Sequence, residues 1–437
     1  MLQNKPIIEK VSGREVIDSR GNPTVEATVV CRDGSVGKAS VPSGASTGIY
    51  EAHEKRDGDS ARYGGKGVRE AVEGIRDEIS PALAGVNAAK QFEVDRIICE
   101  LDGTPEKKRL GANAMLAVSL ATCRAAAASY SMSPWQYLGG GRATRLPVPM
   151  FNILNGGAHA SNNVDIQEFM VVPVGAQSFA EAMQIGCEIY HALGKILQKS
   201  KLSTAVGDEG GYAPDLEGDT AALDLICQAI TDAGYDLDRV KIALDVAGSE
   251  WYSEGEGQYR CPKSGKRYDT ESLISFWESL AARYPICSIE DGLDQRDFGG
   301  WTKLTERLGN KIMLVGDDFF VTNPERVKRG IEEGAANAVL VKPNQIGTLS
   351  ETIRVCDMAA ASGYMTIMSH RSGETEDSTL ADLAVALGSP FIKSGAPCRS
   401  ERLAKYNRLL TIESCLGAAA KYGSARVKQN PKGAIKV

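Results

Sequence analysis

From about residue 240 onward, six short apolar runs each end within two residues of an ionisable side chain, and this recurrence restricts the fold more than any other feature of the sequence. The runs are Ile242-Ala243-Leu244, Ile286 to Ile289, Ile312 to Val315, Ala338 to Val341, Met365 to Met368 and Phe391-Ile392, and the side chains are Asp245, Glu290, Asp317, Lys342, His370 and Lys393. Amphipathic stretches separate them, the rhythm of β/α units. The last four intervals are 27, 25, 28 and 23 residues (290 to 317, 317 to 342, 342 to 370, 370 to 393), room for one strand and one helix each. That spacing predicts a (β/α)8-type barrel, with its functional mouth where the strands end. The longer interval from 245 to 290 holds the polar, glycine-containing stretch Ser253 to Lys266, which reads as an inserted loop.

The first third reads differently. Glu15 to Asp18, a turn at Gly21-Asn22-Pro23, Thr24 to Cys31, a turn at Asp33-Gly34 and Ser35 to Val41 predict a small antiparallel meander. Val68, Val72, Ile75 and Ile79 fall at helical spacing, and Gly111 to Ala128 is rich in alanine and leucine. Glycine and proline cluster between Leu138 and Pro147. The expected class is therefore α/β, with an N-terminal α+β capping domain over 1–140 and a C-terminal β/α barrel catalytic domain over 146–437. A chain of 437 residues exceeds what one core usually organises.

Composition excludes several functions. With 50 Lys+Arg against 56 Asp+Glu and no long basic run, nucleic acid is not an expected partner. Met1 to Pro6 lacks the apolar core of a signal peptide and no apolar stretch is long enough to span a bilayer, so the expected location is the cytoplasm, without membrane binding. The ten cysteines form no Cys-x-x-Cys pair and read as reduced, mostly buried thiols. The four histidines, His53, His159, His191 and His370, form no zinc-type ligand pair.

In a barrel of this kind, Asp245, Glu290 and Asp317 share a pocket with Lys342 and Lys393. Three carboxylates offer only hard oxygen ligands, which favours Mg2+. One acid after a strand is commonly a helix cap, but six ionisable strand ends of both signs make a poor set of inert loops. Near metal ions and a second lysine, the pKa of Lys342 is expected to fall, making it a candidate base; a plain ion pair with one of the acids is the alternative. Glu209, in the glycine-rich turn Gly207 to Pro214, is a candidate general acid, although such a segment also makes ordinary surface turns. The small-residue loop Ser43 to Gly48 can offer hydroxyls and amides to an anion or metal, and it does not match the Walker pattern. His159, in the loop Asn155 to Ala160, reads as exposed rather than packed in a core.

Several stretches together carry a family resemblance. They are Asp18 to Glu26, Asn162 to Met170, Gly207 to Pro214, Asn344 to Leu349, Ser369 to Asp377 and Arg399 to Arg402. On these the whole chain resembles the enolases. The resemblance implies reversible dehydration of 2-phospho-D-glycerate to phosphoenolpyruvate, a step of glycolysis and gluconeogenesis, through a magnesium-stabilised enolate. A Lys or His base with one or two Mg2+ ions is the documented pattern of the wider superfamily. By resemblance, Lys342 takes the C2 proton and Glu209 protonates the departing C3 hydroxyl. Asp245, Glu290 and Asp317 hold the first magnesium, and Ser46 joins the substrate phosphate on a second that arrives with substrate. Arg371 and Ser372 contact the phosphate, and Lys393 faces the substrate carboxylate. His159, Gln167, Glu168 and His370 fill the remaining substrate-facing positions, with Glu168, Lys393 and His370 counted among the catalytic groups. The resemblance further implies a homo-oligomer, dimer or octamer, with side roles in RNA-degrading complexes, at the cell surface or after secretion without a signal peptide. A related barrel acting on another acid would share the metal acids, but the Arg371-Ser372 pair and the Ser46 loop count against it.

Overall fold

A computed structural model describes residues 5–44 and 48–423. The N-terminal meander is present as Ile8–Ile17, Pro23–Cys31 and Val36–Ser40, antiparallel in that order, and its first strand begins earlier than the sequence indicated. Its inner face packs on the helix Ala112–Ser129, whose alanines let backbone approach backbone. At Gly37 the fit leaves no room for a side chain, since an added Cβ would lie 2.0 Å from the Ala121 carbonyl oxygen. The expected stripe runs through helix from Arg69 and one π-turn at Ile75–Ile79; Val68, Ile75 and Ile79 are fully buried, Val72 is half-buried and Ala71 takes the inward position beside it.

The second architecture is a closed eight-stranded barrel. Its strands, in chain order, are Val148–Asn155, Glu168–Val172, Lys241–Asp245, Ile286–Glu290, Met313–Gly316, Ala338–Val341, Met365–Ser369 and Phe391–Lys393. Every residue in them is buried, as strands covered on both faces require. The six expected strands are all there. The two at the start had no counterpart in the pattern, and the reason is visible: no α-helix separates them, whereas two, Phe179–Lys199 and Asp219–Asp232, precede the third strand. Glu168–Val172 is therefore inverted and pairs antiparallel with both neighbours, while all other pairs are parallel.

Ser253 to Lys266 is not a plain loop. It contributes to a three-stranded sheet of Tyr252–Ser253, Gln258–Arg260 and Arg267–Tyr268. Buried Tyr259 anchors it, its phenol oxygen accepting from the Asp294 amide at 3.0 Å. All ten cysteines are unpaired and only Cys415 is exposed. Among the described residues, no helix is long and apolar enough to cross a membrane.

Candidate active site at the barrel mouth

Parallel strands deliver their ends to one rim. Asp245, Glu290 and Lys393 are the last residues of their strands, and Asp317, Lys342 and His370 the first residues beyond theirs. Inversion brings the start of the second barrel strand to the same rim. Glu168 lies in register with Asn155 on one side and Asp245 on the other. Gln167 donates its amide N–H to the Asp245 carbonyl at 3.0 Å and its side-chain amide to Oδ2 at 3.4 Å.

Both lysines lie against carboxylates, Lys393 buried and Lys342 half-buried. Lys393 Nζ lies 2.9 Å from Asp245 Oδ2, 2.9 and 3.1 Å from the Glu290 oxygens and 3.2 Å from Glu168 Oε2. Burial favours the free amine of Lys393, but Asp245, Glu168 and Glu290 outweigh it and hold its pKa well above the ordinary value. Lys342 Nζ donates to Asp317 Oδ2 at 2.5 Å, and Asp317 Oδ1 accepts from Gln345 at 2.9 Å. Here too burial lowers the pKa and the carboxylate overrides it, so Lys342 is held above its ordinary value. The ion pair with an acid is thus present, and the fall in pKa expected of Lys342 belongs to the state with metal ions bound beside it.

Asp245 and Glu290 meet at Lys393 and Asp317 at Lys342, with Glu290 close enough to feel the charge of both other acids. Among the described residues, the sets whose ligand atoms lie within 4.8 Å of one another are Asp291, Asp317 and Asp318, and His159, Glu168 and Glu209. Asp291 accepts from the amides of Asp317 at 2.9 Å and Asp318 at 2.8 Å, which shapes the turn that carries Asp317. Burial and then Asp317 push Asp318 up to about 7. Both missed acids directly follow an anticipated one, and the doubled pairs Glu290-Asp291 and Asp317-Asp318 were the available signal.

Magnesium fits this donor set. Carboxylates from the third and fourth barrel strands, with Glu168, already wrap one cation, the Lys393 ammonium, through hard oxygens at 2.9 to 3.2 Å. Burial and then Asp245 push Glu290 well above the carboxylate range, the strain of crowded anions that a divalent cation relieves.

Glu209 sits in the turn after Val206, where Gly210 has φ +89 and a Cβ on Gly211 would lie 2.4 Å from Asn155 Oδ1. Those two glycines let the turn press against the barrel. Glu209 Oε2 accepts from Asn152 Nδ2 at 3.1 Å and lies 3.4 Å from His370 Nε2. Burial, then the Glu209 carboxylate, push Glu168 well above the usual range, so the two carboxyls compete for a proton. Burial lowers His370 to about 4, leaving the ring neutral. His159 is corrected from exposed to largely covered: its side chain is 12% accessible, with Nδ1 3.5 Å from Glu168 Oε1.

Arg371 follows His370, and its fork grips Glu51 from the N-terminal part, Nη1 to Oε2 at 2.8 Å and Nη2 to Oε1 at 3.1 Å. Ser372 lines the same cavity, together with Lys342, Lys393, Glu209 and His370. Two backbone bonds between Ser43 and Gly373, 2.8 and 3.0 Å, tie the beginning of the small-residue loop to this segment. Ser46 lies outside the described residues. Glu51 and the fully buried Arg402, both partners of site residues, had no periodic signal to reveal them.

Residues 143–431 match the family profile described as enolase, C-terminal TIM barrel domain, and residues 8–138 the one described as enolase, N-terminal domain. A curated relative from Mycobacteroides abscessus, named enolase, is 57% identical over 418 residues, covering 95% of this chain and 96% of that protein.

Proposed function

The chain belongs to the enolase family and is a lyase, a phosphopyruvate hydratase, and from that premise we propose how its residues share the dehydration of 2-phospho-D-glycerate to phosphoenolpyruvate. The observation that carries this reading is one cavity holding two lysines clasped by carboxylates together with the closely set Glu168 and Glu209.

Magnesium, when bound, supplies fixed positive charge opposite the dianion that forms when a proton leaves the carbon beside a carboxylate. Asp245, Glu290 and Asp317 would hold the first ion, and Ser46 with the substrate phosphate a second. Lys342 is the base for the C2 proton. With Asp317 engaged as a ligand, burial, Arg371 and Lys393 remain to favour the free amine that a base requires. Lys393 faces the substrate carboxylate. Arg371 and Ser372 hold the phosphate, and His159, Gln167 and His370 complete the walls around the substrate. Glu209 protonates the departing C3 hydroxyl, with the Glu168 carboxyl beside it. The segment 1–140 acts as a cap on a catalytic barrel over 146–437, a division supported by the Glu51 contact with Arg371 and the Ser43 bonds to Gly373.

Purified protein with Mg2+ is expected to convert 2-phosphoglycerate to phosphoenolpyruvate, and a chelator to stop it. Lys342→Ala is expected to abolish exchange of the C2 hydrogen with solvent. Glu209→Gln is expected to keep exchange and block water loss; the reverse pattern overturns the roles.

A further inference from the structure

Arg402 stands in the first turn of the helix Ser400–Leu416 with no solvent exposure. Its two terminal nitrogens carry four hydrogens, and each has an acceptor. Nη1 donates to the Arg371 carbonyl at 2.5 Å and meets His370 Nδ1 at 2.6 Å; Nη2 donates to the Ser372 carbonyl at 2.6 Å and the Asp208 carbonyl at 3.2 Å. A guanidinium cannot accept a hydrogen bond. His370 Nδ1 is therefore the acceptor, and a neutral ring then carries its proton on Nε2, 3.4 Å from Glu209 Oε2. The charged groups facing the ring are Glu209, Arg402 and Glu374; burial and Arg402 favour the neutral form, and they prevail over the two carboxylates.

We propose that Arg402 is a positioning residue for water loss: it fixes His370 as the Nε2–H tautomer, which presents a donor to Glu209 Oε2. Asn152 Nδ2 donates to that same oxygen at 3.1 Å, so the transferable proton of Glu209 rides on Oε1. As the C3–O bond breaks, its electron pair leaves with the hydroxyl, Oε1–H supplies the proton that completes a water molecule, and the electrons of the C2–H bond taken by Lys342 become the C2–C3 double bond. The carboxylate left behind is held by the His370 and Asn152 donors. Through Asp208, the same guanidinium ties the Glu209 turn to the Arg371-Ser372 segment, so the acid and the phosphate contacts share one anchor. This rests on the reading of Glu209 as the acid.

Four histidines make ring-15N labelling tractable, with His370 assigned by the signal lost in His370→Gln. In the whole protein, His370 is expected to show a bare Nδ1 and a protonated Nε2 between pH 5 and pH 7, a unit or more above the value of about 4 to which burial lowers the ring. Glu209→Gln is expected to leave the tautomer in place, because Arg402 and not Glu209 sets it. Arg402→Lys is expected to mix or reverse the tautomers and to slow water loss at least about tenfold more than C2 exchange. A protonated Nδ1 in the unaltered protein, or a tautomer that flips in Glu209→Gln, overturns the proposal even if Arg402→Lys does not fold. Equal slowing of exchange and water loss with an unchanged tautomer reduces Arg402 to a structural part and overturns it too. If the tautomers behave as expected while Glu209→Gln abolishes C2 exchange, the acid assignment falls and the hold of Arg402 on His370 stands.

Discussion

Glu51 and Arg371 form a two-point ion pair between the N-terminal part and the barrel mouth, at 2.8 and 3.1 Å, with side chains 7% and 3% exposed. The geometry is the planar fork against a planar carboxylate, the strongest form such a pair takes. Removing Glu51 takes the two-point partner from a buried guanidinium and leaves Asn344, at 3.4 Å, as a weaker one. Glu51→Ala is expected to destabilise the protein by about 3–5 kcal/mol, measured by denaturant unfolding. The double variant Glu51→Ala with Arg371→Ala should cost clearly less than the sum of the singles, since the second substitution removes the stranded charge. Additive costs would show that the pair contributes nothing of its own.

Cation binding should appear in stability independently of turnover. Asp245, Glu290 and Glu168 are crowded at one rim, and burial with Asp245 pushes Glu290 well above the carboxylate range. A ligand that binds only the folded state at a hundred times its dissociation constant adds about 2.7 kcal/mol. Mg2+ is therefore expected to raise the thermal midpoint in the absence of substrate and a chelator to reverse it. Asp245→Asn should blunt the response. A midpoint indifferent to Mg2+ in the unaltered protein would speak against the rim as a cation site.

Much of this was written in the sequence, and the exceptions share a cause. Six strand ends were legible because each strand is a short apolar run closed by a charged residue at a regular interval. The inverted strand Glu168–Val172 broke that rhythm: it lacks a helix before it, and its functional residue stands at its start rather than its end. Glu168 and Gln167 accordingly entered through resemblance and not through pattern. The Lys342 ion pair could stand only as an alternative, because its partner Asp317 is 25 residues away in sequence and 2.5 Å away in space. Glu51 and Arg402 were invisible for the same reason, their partners lying 320 and 30 to 32 residues distant. Periodicity reports which face a residue occupies; it does not report which distant group it meets.

Acid should weaken the fold through His370. Its pKa falls from 6.5 to about 4 on folding, so below about pH 6.5 the unfolded chain binds a proton that the native ring refuses. The stability contributed by a depressed group is fully present above the unfolded value and is lost as pH falls through the folded one. Between pH 7 and pH 4 this amounts to roughly 3 kcal/mol for a fully buried ring. His370→Gln lacks the titration, so the stability difference between it and the parent should shrink or reverse in favour of the variant as pH falls. A difference independent of pH would mean that the native ring takes up the proton freely.

The last expectation concerns the cap alone and separates steric from conformational cost. At Gly37 an added Cβ would stand 2.0 Å from the Ala121 carbonyl oxygen and 2.2 Å from the Ala125 nitrogen, both main-chain atoms of one buried helix. Neither can swing aside as a side-chain end would, so the sheet or the helix must move. That helix also holds the barrel: Ser119 Oγ accepts from the Leu349 amide at 3.0 Å, and Arg124 pairs with Asp377 at 2.9 Å. Gly34 offers the contrast, with φ +86 and nothing within 4 Å of its missing Cβ, so alanine there meets only backbone strain. Gly34→Ala is expected to cost about 1 kcal/mol. Gly37→Ala should cost at least about 3 kcal/mol, the upper end for overpacking, because the clash is with backbone on both counts. Thermal unfolding of the two variants decides it. Equal losses would mean that the sheet and helix are free to part at Gly37, and with them the register that aligns Ser43 with Gly373 at the mouth.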